Sequence, residues 1–385
     1  MDNLRYGYTT GSCAAGATLA ATQGLLTGII PDRVELLTPS GISLSLEILE
    51  KSLARDSAYC AVRKDAGSDP DVTHGCLVFA RIAPHYPSCH SERSEESPQP
   101  SKEKILIDGG EGVGRVTKPG LRVPPGQAAI NPVPRDMIRS AASPLLKKWS
   151  GLEVTVSVPG GEELAKKTFN PRLGILGGIS IIGTTGIVRP MSQEALKDSI
   201  TACLDVAGAL GHETTVLVPG NLGERACQRN FKLPQEQVVE MGNFLGFTLV
   251  EAAKRGFRRI ILAGHPGKLA KLLRGDLDTH SLKSAPAMDI INNILKEEGL
   301  EEEALRTLDN SLTVEGILQG LKSRGKLKLM DCVADRIESE AVRVIHELPP
   351  PQRKTEMGVI LFDMELGIAG LSKGAKKWQE GLGTR

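Results

Sequence analysis

Asp108-Gly109-Gly110-Glu111-Gly112-Val113-Gly114 follows the apolar run Ile105-Leu106-Ile107. Its D-x-G-x-G-x-G spacing is that of glycine loops that touch the methionine part of S-adenosylmethionine, because glycine lets backbone approach a ligand without a Cβ clash. It is not a dinucleotide fingerprint: Arg115 stands where G-x-G-x-x-G needs its last glycine, and Val116-Thr117-Lys118-Pro119-Gly120 reads as a turn rather than a helix. A second group, Lys64 to Gly75, brings three aspartates and His74 together within twelve residues. Asp65, Asp69 and His74 are candidates to move a proton, although Ser-Asp and Asp-Pro pairs also make ordinary turns. A third stretch, Arg115 to Arg139, carries Arg115, Lys118, Arg122, Arg135 and Arg139 against the single acid Asp136. Its run Ala129-Ile130-Asn131-Pro132-Val133-Pro134-Arg135 is braced by proline, and arginine forks suit carboxylates or phosphates. The other reading is a solvated basic face.

Further glycines cluster after apolar runs: Gly177-Gly178, Gly183-Thr184-Thr185-Gly186, Pro219-Gly220-Asn221 and Gly264-His265-Pro266-Gly267-Lys268. In open parallel sheets, ligands bind at the carboxyl ends of strands, where such loops lie. Gly267-Lys268-Leu269 is no P-loop, since serine or threonine is missing after the lysine. His265 and His280 are either acid–base groups or simply hydrogen-bonded histidines.

The elements that must hold these groups fall into two styles. A helix is expected over Ser12 to Leu26, introduced by the capping cluster Thr9-Thr10-Gly11-Ser12. Alternating runs at Val34–Leu37, Ser43–Ile48, Tyr59–Arg63, Leu77–Ile82 and Lys104–Ile107 predict a mostly antiparallel sheet. Residues 84–103, polar and punctuated by proline, read as a disordered insertion. His85, Cys89 and His90 within it read as solvated rather than metal-binding.

Later, Val154–Val158, Gly174–Ile182, Thr215–Pro219 and Arg259–Gly264 alternate with helical patterns at Ser192–Leu210, Asn243–Arg255 and Lys268–Arg274, the mark of a parallel sheet with crossovers. Helices at Ala287–Glu298, Thr313–Ser323 and Lys328–Glu347, a strand at Gly358–Phe362 and a glycine- and lysine-rich tail complete the chain. The expected architecture is an α+β domain over residues 1–150 followed by a Rossmann-like α/β domain over 151–385.

Composition narrows the partners. Lys+Arg number 47 and Asp+Glu 46, so the chain lacks the overall basic charge of a nucleic-acid binder. Aromatics are 3%, too few for base-stacking platforms. No apolar run approaches the ~20 residues of a spanning helix, and Met1-Asp2-Asn3-Leu4-Arg5 does not open a signal peptide. The seven cysteines form no CxxC pair and give no zinc or disulfide framework. A cytoplasmic protein is expected.

Taken together, several of these segments resemble one family. They are Arg5 to Ala15, Lys64 to Gly75, Asp108 to Gly120, Ala129 to Arg135, Asn170-Pro171-Arg172-Leu173-Gly174-Ile175, Gly177 to Gly186 with Pro190-Met191-Ser192, and Gly264 to Lys268. In this order they are similar to the cobalt-precorrin-5B (C1)-methyltransferase family, the CbiD family, from about residue 5 to beyond residue 290. The 84–103 insertion and Pro266 depart from the pattern.

The resemblance implies an enzyme, an S-adenosylmethionine-dependent C-methyltransferase of anaerobic cobalamin biosynthesis. Methyl would pass to C1 of cobalt-precorrin-5B, giving cobalt-precorrin-6A, with the cobalt carried by the substrate; the residues themselves suggest no metal site, and whether cobalt gains a protein ligand stays open. It also implies a two-domain α/β architecture, and it leaves oligomeric state and individual residue roles open. The candidates for the cofactor are Asp108, Gly110, Gly112, Gly114, Gly178, Thr184, Thr185, Gly220 and Gly264. Those for the anionic corrinoid are Arg115, Lys118, Asn131, Arg135, Arg172 and His265. Two other readings of the residues stand beside this one: an α/β enzyme acting on a phosphorylated or nucleotide ligand, and a non-catalytic corrinoid or cobalt carrier. The carrier would want a firm axial-histidine motif, which the sequence does not offer.

Overall fold

The computed structural model describes residues 4–85, 104–190, 192–301, 313–346 and 355–382. The chain forms two compact units, Met1–Gln193 and Glu194–Arg385.

The first unit opens with β1 (Gly7–Tyr8) and α1 (Thr10–Thr27). Thr9 caps the helix, its Oγ1 accepting the Ser12 N–H at 3.1 Å. Gly28, at φ +83°, closes it in the left-handed conformation. Helix α1 is buried almost all round, and its small side chains explain how. Ala14, Ala15, Ala17, Ala20 and Ala21 are fully covered, and the helix is wedged between a sheet, a hairpin and a second helix.

The strands are β2 (Arg33–Leu37), β3 (Ser43–Glu47), β4 (Glu50–Leu53), β5 (Ala58–Arg63), β6 (Leu77–Pro84), β7 (Ile105–Gly109) and β8 (Arg115–Val116). Then come α2 (Pro132–Ala142), β9 (Leu152–Ser157), α3 (Gly161–Ala165), β10 (Ile175–Leu176) and β11 (Ile187–Val188). The main sheet runs β4-β5-β6-β9-β7 and is antiparallel except for the parallel β7–β9 pair.

Strand β9 moves the division between units from residue 150/151 to 193/194. Its alternating Leu152, Val154 and Val156 face the first core, and it pairs with β6 on one side and β7 on the other. Such alternation suits a sheet with one buried face, not a parallel sheet covered on both. Gly174–Ile182, expected as a parallel strand of the second unit, also belongs to the first. It gives only β10 and the single bridges Val113–Ile179 and Ile130–Ile181. Pro84 ends β6 opposite Leu152, and His85 donates its N–H to the Gly151 carbonyl at 2.9 Å, so both continue the β6–β9 pairing rather than belong to an insertion. Residues 86–103, with Cys89 and His90, lie outside the described residues.

The second unit contains α4 (Gln193–Ala209), β12 (Thr214–Val218), α5 (Asn221–Phe231), β13 (Val238–Glu240), α6 (Leu245–Lys254), β14 (Arg259–Gly264) and α7 (Pro266–Leu269). It continues with α8 (Met288–Glu297), α9 (Val314–Ser323), α10 (Met330–His346), β15 (Glu356–Phe362), β16 (Ile368–Leu371) and α11 (Lys373–Leu382). The sheet order is β13-β12-β14-β15-β16, with only β16 antiparallel. Strand β12 is buried throughout, as a strand covered on both faces must be. Leu217, Ile260, Leu262, Val359 and Leu361 face helices α4, α6, α8, α9 and α10. The alternate residues Val216, Val218, Ile261, Ala263, Ile360 and Phe362 face α5 and α11. This is the expected mainly parallel α/β sheet, wound on both faces. The glycine- and lysine-rich tail is folded: it forms β16 and α11.

Candidate functional site

The Lys64–Gly75 loop is held by two ion pairs. Lys64, 2% exposed, places Nζ 2.5 Å from Asp71 Oδ2. The other Asp71 oxygen accepts from the Thr73 N–H at 2.8 Å and hydroxyl at 2.7 Å. Burial pushes the Asp71 carboxyl up, but the Lys64 ammonium outweighs it and the group sits below its ordinary value. Asp65 takes the Arg5 guanidinium on both oxygens and also accepts the Gly67 N–H. The hydrogen bond from Arg5 holds it below the usual carboxylate range. His74 accepts the Ala66 N–H on Nδ1 at 3.1 Å and leaves its ring 54% exposed. Asp69 is partly buried in the same turn.

The Asp108–Gly114 loop is packed against the protein's own backbone. Val158 donates to the Glu111 carbonyl, Ile179 to that of Gly112, and Gly114 to that of Ile179. A Cβ on Gly112, at φ +70°, would lie 1.8 Å from the Val158 oxygen. One on Gly114 would meet the Gly178 oxygen at 2.7 Å, one on Gly178 the Gly112 oxygen at 2.2 Å, and one on Gly110 the Ser157 hydroxyl at 2.4 Å. Crossing backbones therefore already require Gly112, Gly114 and Gly178, and the Ser157 side chain fills the space at Gly110. Asp108 accepts the Gly109 N–H and pairs with Arg115 at 2.9 Å on the surface.

Gly177–Gly186 closes on the start of α1 in the same way. Thr10 Oγ1 accepts the Ile182 N–H at 2.9 Å, and the Ser12 hydroxyl donates to the Gly186 carbonyl at 2.7 Å. Gly183 faces the Thr9 side chain. Thr184 and Thr185 stay exposed, the Thr185 hydroxyl donating to the Ile187 carbonyl.

The basic stretch splits into two kinds of arginine. Arg135 donates Nε to Ile130 O at 2.8 Å, Nη1 to Ile107 O at 2.8 Å and Nη2 to Ala128 O at 3.2 Å. It ties α2 to the end of β7. Arg122 is exposed. With Arg135, Arg139, Gln127, Pro124 and Asp136 it lines a shallow recess of about 210 Å³. Asn131 precedes α2 and donates its N–H to the Ile181 carbonyl. The Lys118 stem lies over Gly174, and the Arg172 guanidinium sits 5.8 Å from the Phe169 ring centre. These last three are not brought to the recess lining.

In the second unit, three loops meet at the carboxyl edge of the sheet. After β12, Gly223 packs α5 onto the strands, since a Cβ there would lie 2.9 Å from both Ala263 O and Val218 Cβ. Gly264, the last residue of β14, is filled by the Pro219 ring, 2.8 Å from where its Cβ would be. Gly220 differs: its Cβ position meets nothing nearer than the Glu240 carboxylate, at 3.5 Å. Glu240 ends β13, and Lys268 Nζ donates to Asn243 Oδ1 at 3.3 Å nearby. Burial, then Lys271, hold the Lys268 ammonium below its usual value, with Glu240 opposing.

His265 is engaged on both ring nitrogens. Nδ1 accepts the Gly267 N–H at 3.1 Å and Nε2 lies 3.2 Å from Glu315. It is the cap of α7, so its ring serves the loop. The reading by sequence passed over Glu240 because β13 is three residues long and carries no period. The signal was its place twenty residues after Gly220. Among the described residues, no group of three or more His, Cys, Asp or Glu is placed to hold a metal, and no helix is long and apolar enough to cross a membrane.

The second unit is thus a doubly wound α/β sheet in the strand order 2-1-3-4-5, in which the order of strand addition reverses between the parallel strands β12 and β14. The fold class that the sequence implied is the one observed. Comparison with known proteins is specific. The description CbiD matches residues 1–190, and that of the CbiD C-terminal domain matches residues 278–373. Cobalt-precorrin-5B C(1)-methyltransferase of Thermoanaerobacter sp. (strain X514) is 40% identical over 97% of this chain and 97% of its own. The protein of that name from Desulfitobacterium hafniense (strain Y51) is 43% identical over 88% and 84%. That from Syntrophotalea carbinolica is 39% identical over 98% and 100%. A crystal structure of the cobalamin biosynthesis protein (cbiD) from Archaeoglobus fulgidus is 27% identical, covering 77% of this chain and 85% of that one, with a TM-score of 0.37. The chain belongs to the CbiD family.

Proposed function

We propose that this protein is a C-methyltransferase of anaerobic cobalamin biosynthesis, carrying methyl from S-adenosylmethionine to C1 of cobalt-precorrin-5B and giving cobalt-precorrin-6A. The observation that carries this reading is identity near 40%, spanning both units, to relatives that bear that name. S-adenosylmethionine, when bound, supplies an electrophilic methyl: C1 gives the electron pair of the new bond and the pair of the broken bond stays on sulfur.

The chain's part is to hold and orient. Alignment of reacting atoms can supply roughly 7–11 kcal/mol of a barrier. The residues fit the cofactor best at the carboxyl edge of the second sheet. There Gly220 keeps an open face beside a carboxylate, whereas Gly110, Gly112, Gly114, Gly178 and Gly264 are filled by the protein itself. For the corrinoid, the recess offers the exposed Arg122 guanidinium to carboxylate arms; Arg139 at its rim is paired with Asp136 at 2.8 Å, and Arg135 keeps that wall rigid. Asp65, Asp69 and His74 are the groups proposed to hold a proton, with Asp65 paired to Arg5 and His74 accepting the Ala66 N–H. The reading carries a cytoplasmic location with it.

Incubation with methyl-labelled S-adenosylmethionine and cobalt-precorrin-5B under anaerobic conditions tests it. Label is expected in the corrinoid. No transfer to authentic substrate by folded protein would overturn the reading.

A further inference from the structure

We infer that Glu240 is the ribose anchor of this protein, its carboxylate accepting hydrogen bonds from the sugar hydroxyls of an adenosyl ligand seated over the β12 loop at Gly220. The inference rests on the methyl-transfer reading for the identity of the ligand, but its argument is geometric. In an open sheet the crevice for a ligand forms outside the carboxyl ends of the two strands where connections depart in opposite directions. Here those strands are β12 and β14, with β13 outside β12. The loops that leave them are Pro219–Gly223 and His265–Lys268.

A nucleoside in that crevice lies over the first loop, and its ribose extends toward the end of the neighbouring strand. Glu240 is the last residue of that strand. It stands twenty residues after Gly220, the interval that separates the glycine loop from the ribose-binding acid in dinucleotide-binding folds, although the loop here, Pro219-Gly220-Asn221-Leu222-Gly223, is not their G-x-G-x-x-G. The geometry agrees with the interval. Gly220 and Glu240 are neighbours at the end of the sheet, so that a Cβ on Gly220 would approach Oε1 to 3.5 Å, with no other heavy atom beyond its chain neighbours within 4 Å. Beside them the partly buried Lys268 and Asn243 are joined by a hydrogen bond. Two hydroxyl donors complement a carboxylate, which accepts only. Glu240 is half-buried, and its charge favours the charged form of the nearby Lys268 ammonium.

Calorimetric titration of the full chain with S-adenosylhomocysteine and with its 2′-deoxy and 3′-deoxy analogues tests this, comparing the parent protein with Glu240→Gln and Glu240→Asp. A hydrogen bond to a charged group changes binding by about 10- to 100-fold. The parent is therefore expected to bind at least one deoxy analogue at least tenfold more weakly than S-adenosylhomocysteine. Glu240→Gln should lose a similar factor for the complete ligand and no longer tell it from the analogue, while melting within a few degrees of the parent. Glu240→Asp should fall between them. If Glu240→Gln binds all three ligands more weakly by one common factor, or retains the parent's discrimination, Glu240 is only the counter-charge of Lys268 and the inference fails. If the folded parent does not bind S-adenosylhomocysteine at all, the methyl-transfer reading fails with it.

Discussion

The loops Asp108–Gly114 and Pro219–Gly223 follow apolar strands and are rich in glycine, yet they differ in what meets the missing side chains. In the first, the neighbours are the protein's own chain, with the Val158 oxygen 1.8 Å from a Cβ on Gly112. In the second, Gly223 is consumed by helix packing, while Gly220 looks onto open space and one carboxylate. Glycine permits close approach, but the partner approached is as readily another backbone as a ligand. The first unit's motifs are largely occupied with one another, and the second unit's edge is where a face stays open.

The contrast can be broken most forcefully at Gly112. Gly112→Val should cost about 4 kcal/mol or more, from a left-handed φ and a backbone clash together, and leave little folded protein by circular dichroism. A normal melt would show that the loop has slack and return it to the list of ligand loops. Next in size is the Lys64–Asp71 pair of the same unit. Asp71→Asn leaves a buried ammonium without its partner, at about 3 kcal/mol. Because the native Asp71 carboxyl lies below its ordinary value of 3.8, its stabilisation is present above that pH and is lost as pH falls through the lower native value. Urea unfolding from pH 7 to pH 2 should therefore show a shallower acid loss in Asp71→Asn than in the parent. Equal slopes would remove the pair from the acid limb.

Arg135→Ala should follow at about 2 kcal/mol, since charged donors to three carbonyls are lost. Arg135→Lys should not restore the loss, because one ammonium cannot reproduce the fork. Full thermal stability in Arg135→Ala would mean that the residue is free for substrate. The smallest effect on stability belongs to Gly220→Ala, within about 1 kcal/mol or ~2–4 °C, with S-adenosylhomocysteine binding weakened severalfold in calorimetry. A large melting shift with unchanged affinity would make this loop the equal of the first.

Helix α1 and the antiparallel strands were readable because a capping threonine and period-two alternation are local signals. The 193/194 division was not, because β9 is placed by its pairing with β6 and β7, which no local pattern expresses. Helix α5 is polar along most of its length, and β13 is too short for a period, so the stretch that frames Gly220 went unseen although the glycine itself was noticed. The tail misled for a related reason. Gly370 and Gly374 lie against the Met330 and Met357 carbonyls, so what looked like loose composition is tight packing. Of the candidate arginines, sequence marked the right stretch but could not separate Arg135, turned onto carbonyls, from Arg122 at the recess.

The pairing of β1 with β11 joins residues about 180 positions apart. During synthesis at about 5–20 residues per second, the start of α1 emerges roughly 10–40 s before the segment that receives its Thr10 and Ser12 hydroxyls. The first unit therefore cannot complete itself as it leaves the ribosome. Its final closure waits on nearly its whole length, and the helix at its centre is the last element to have its entrance secured.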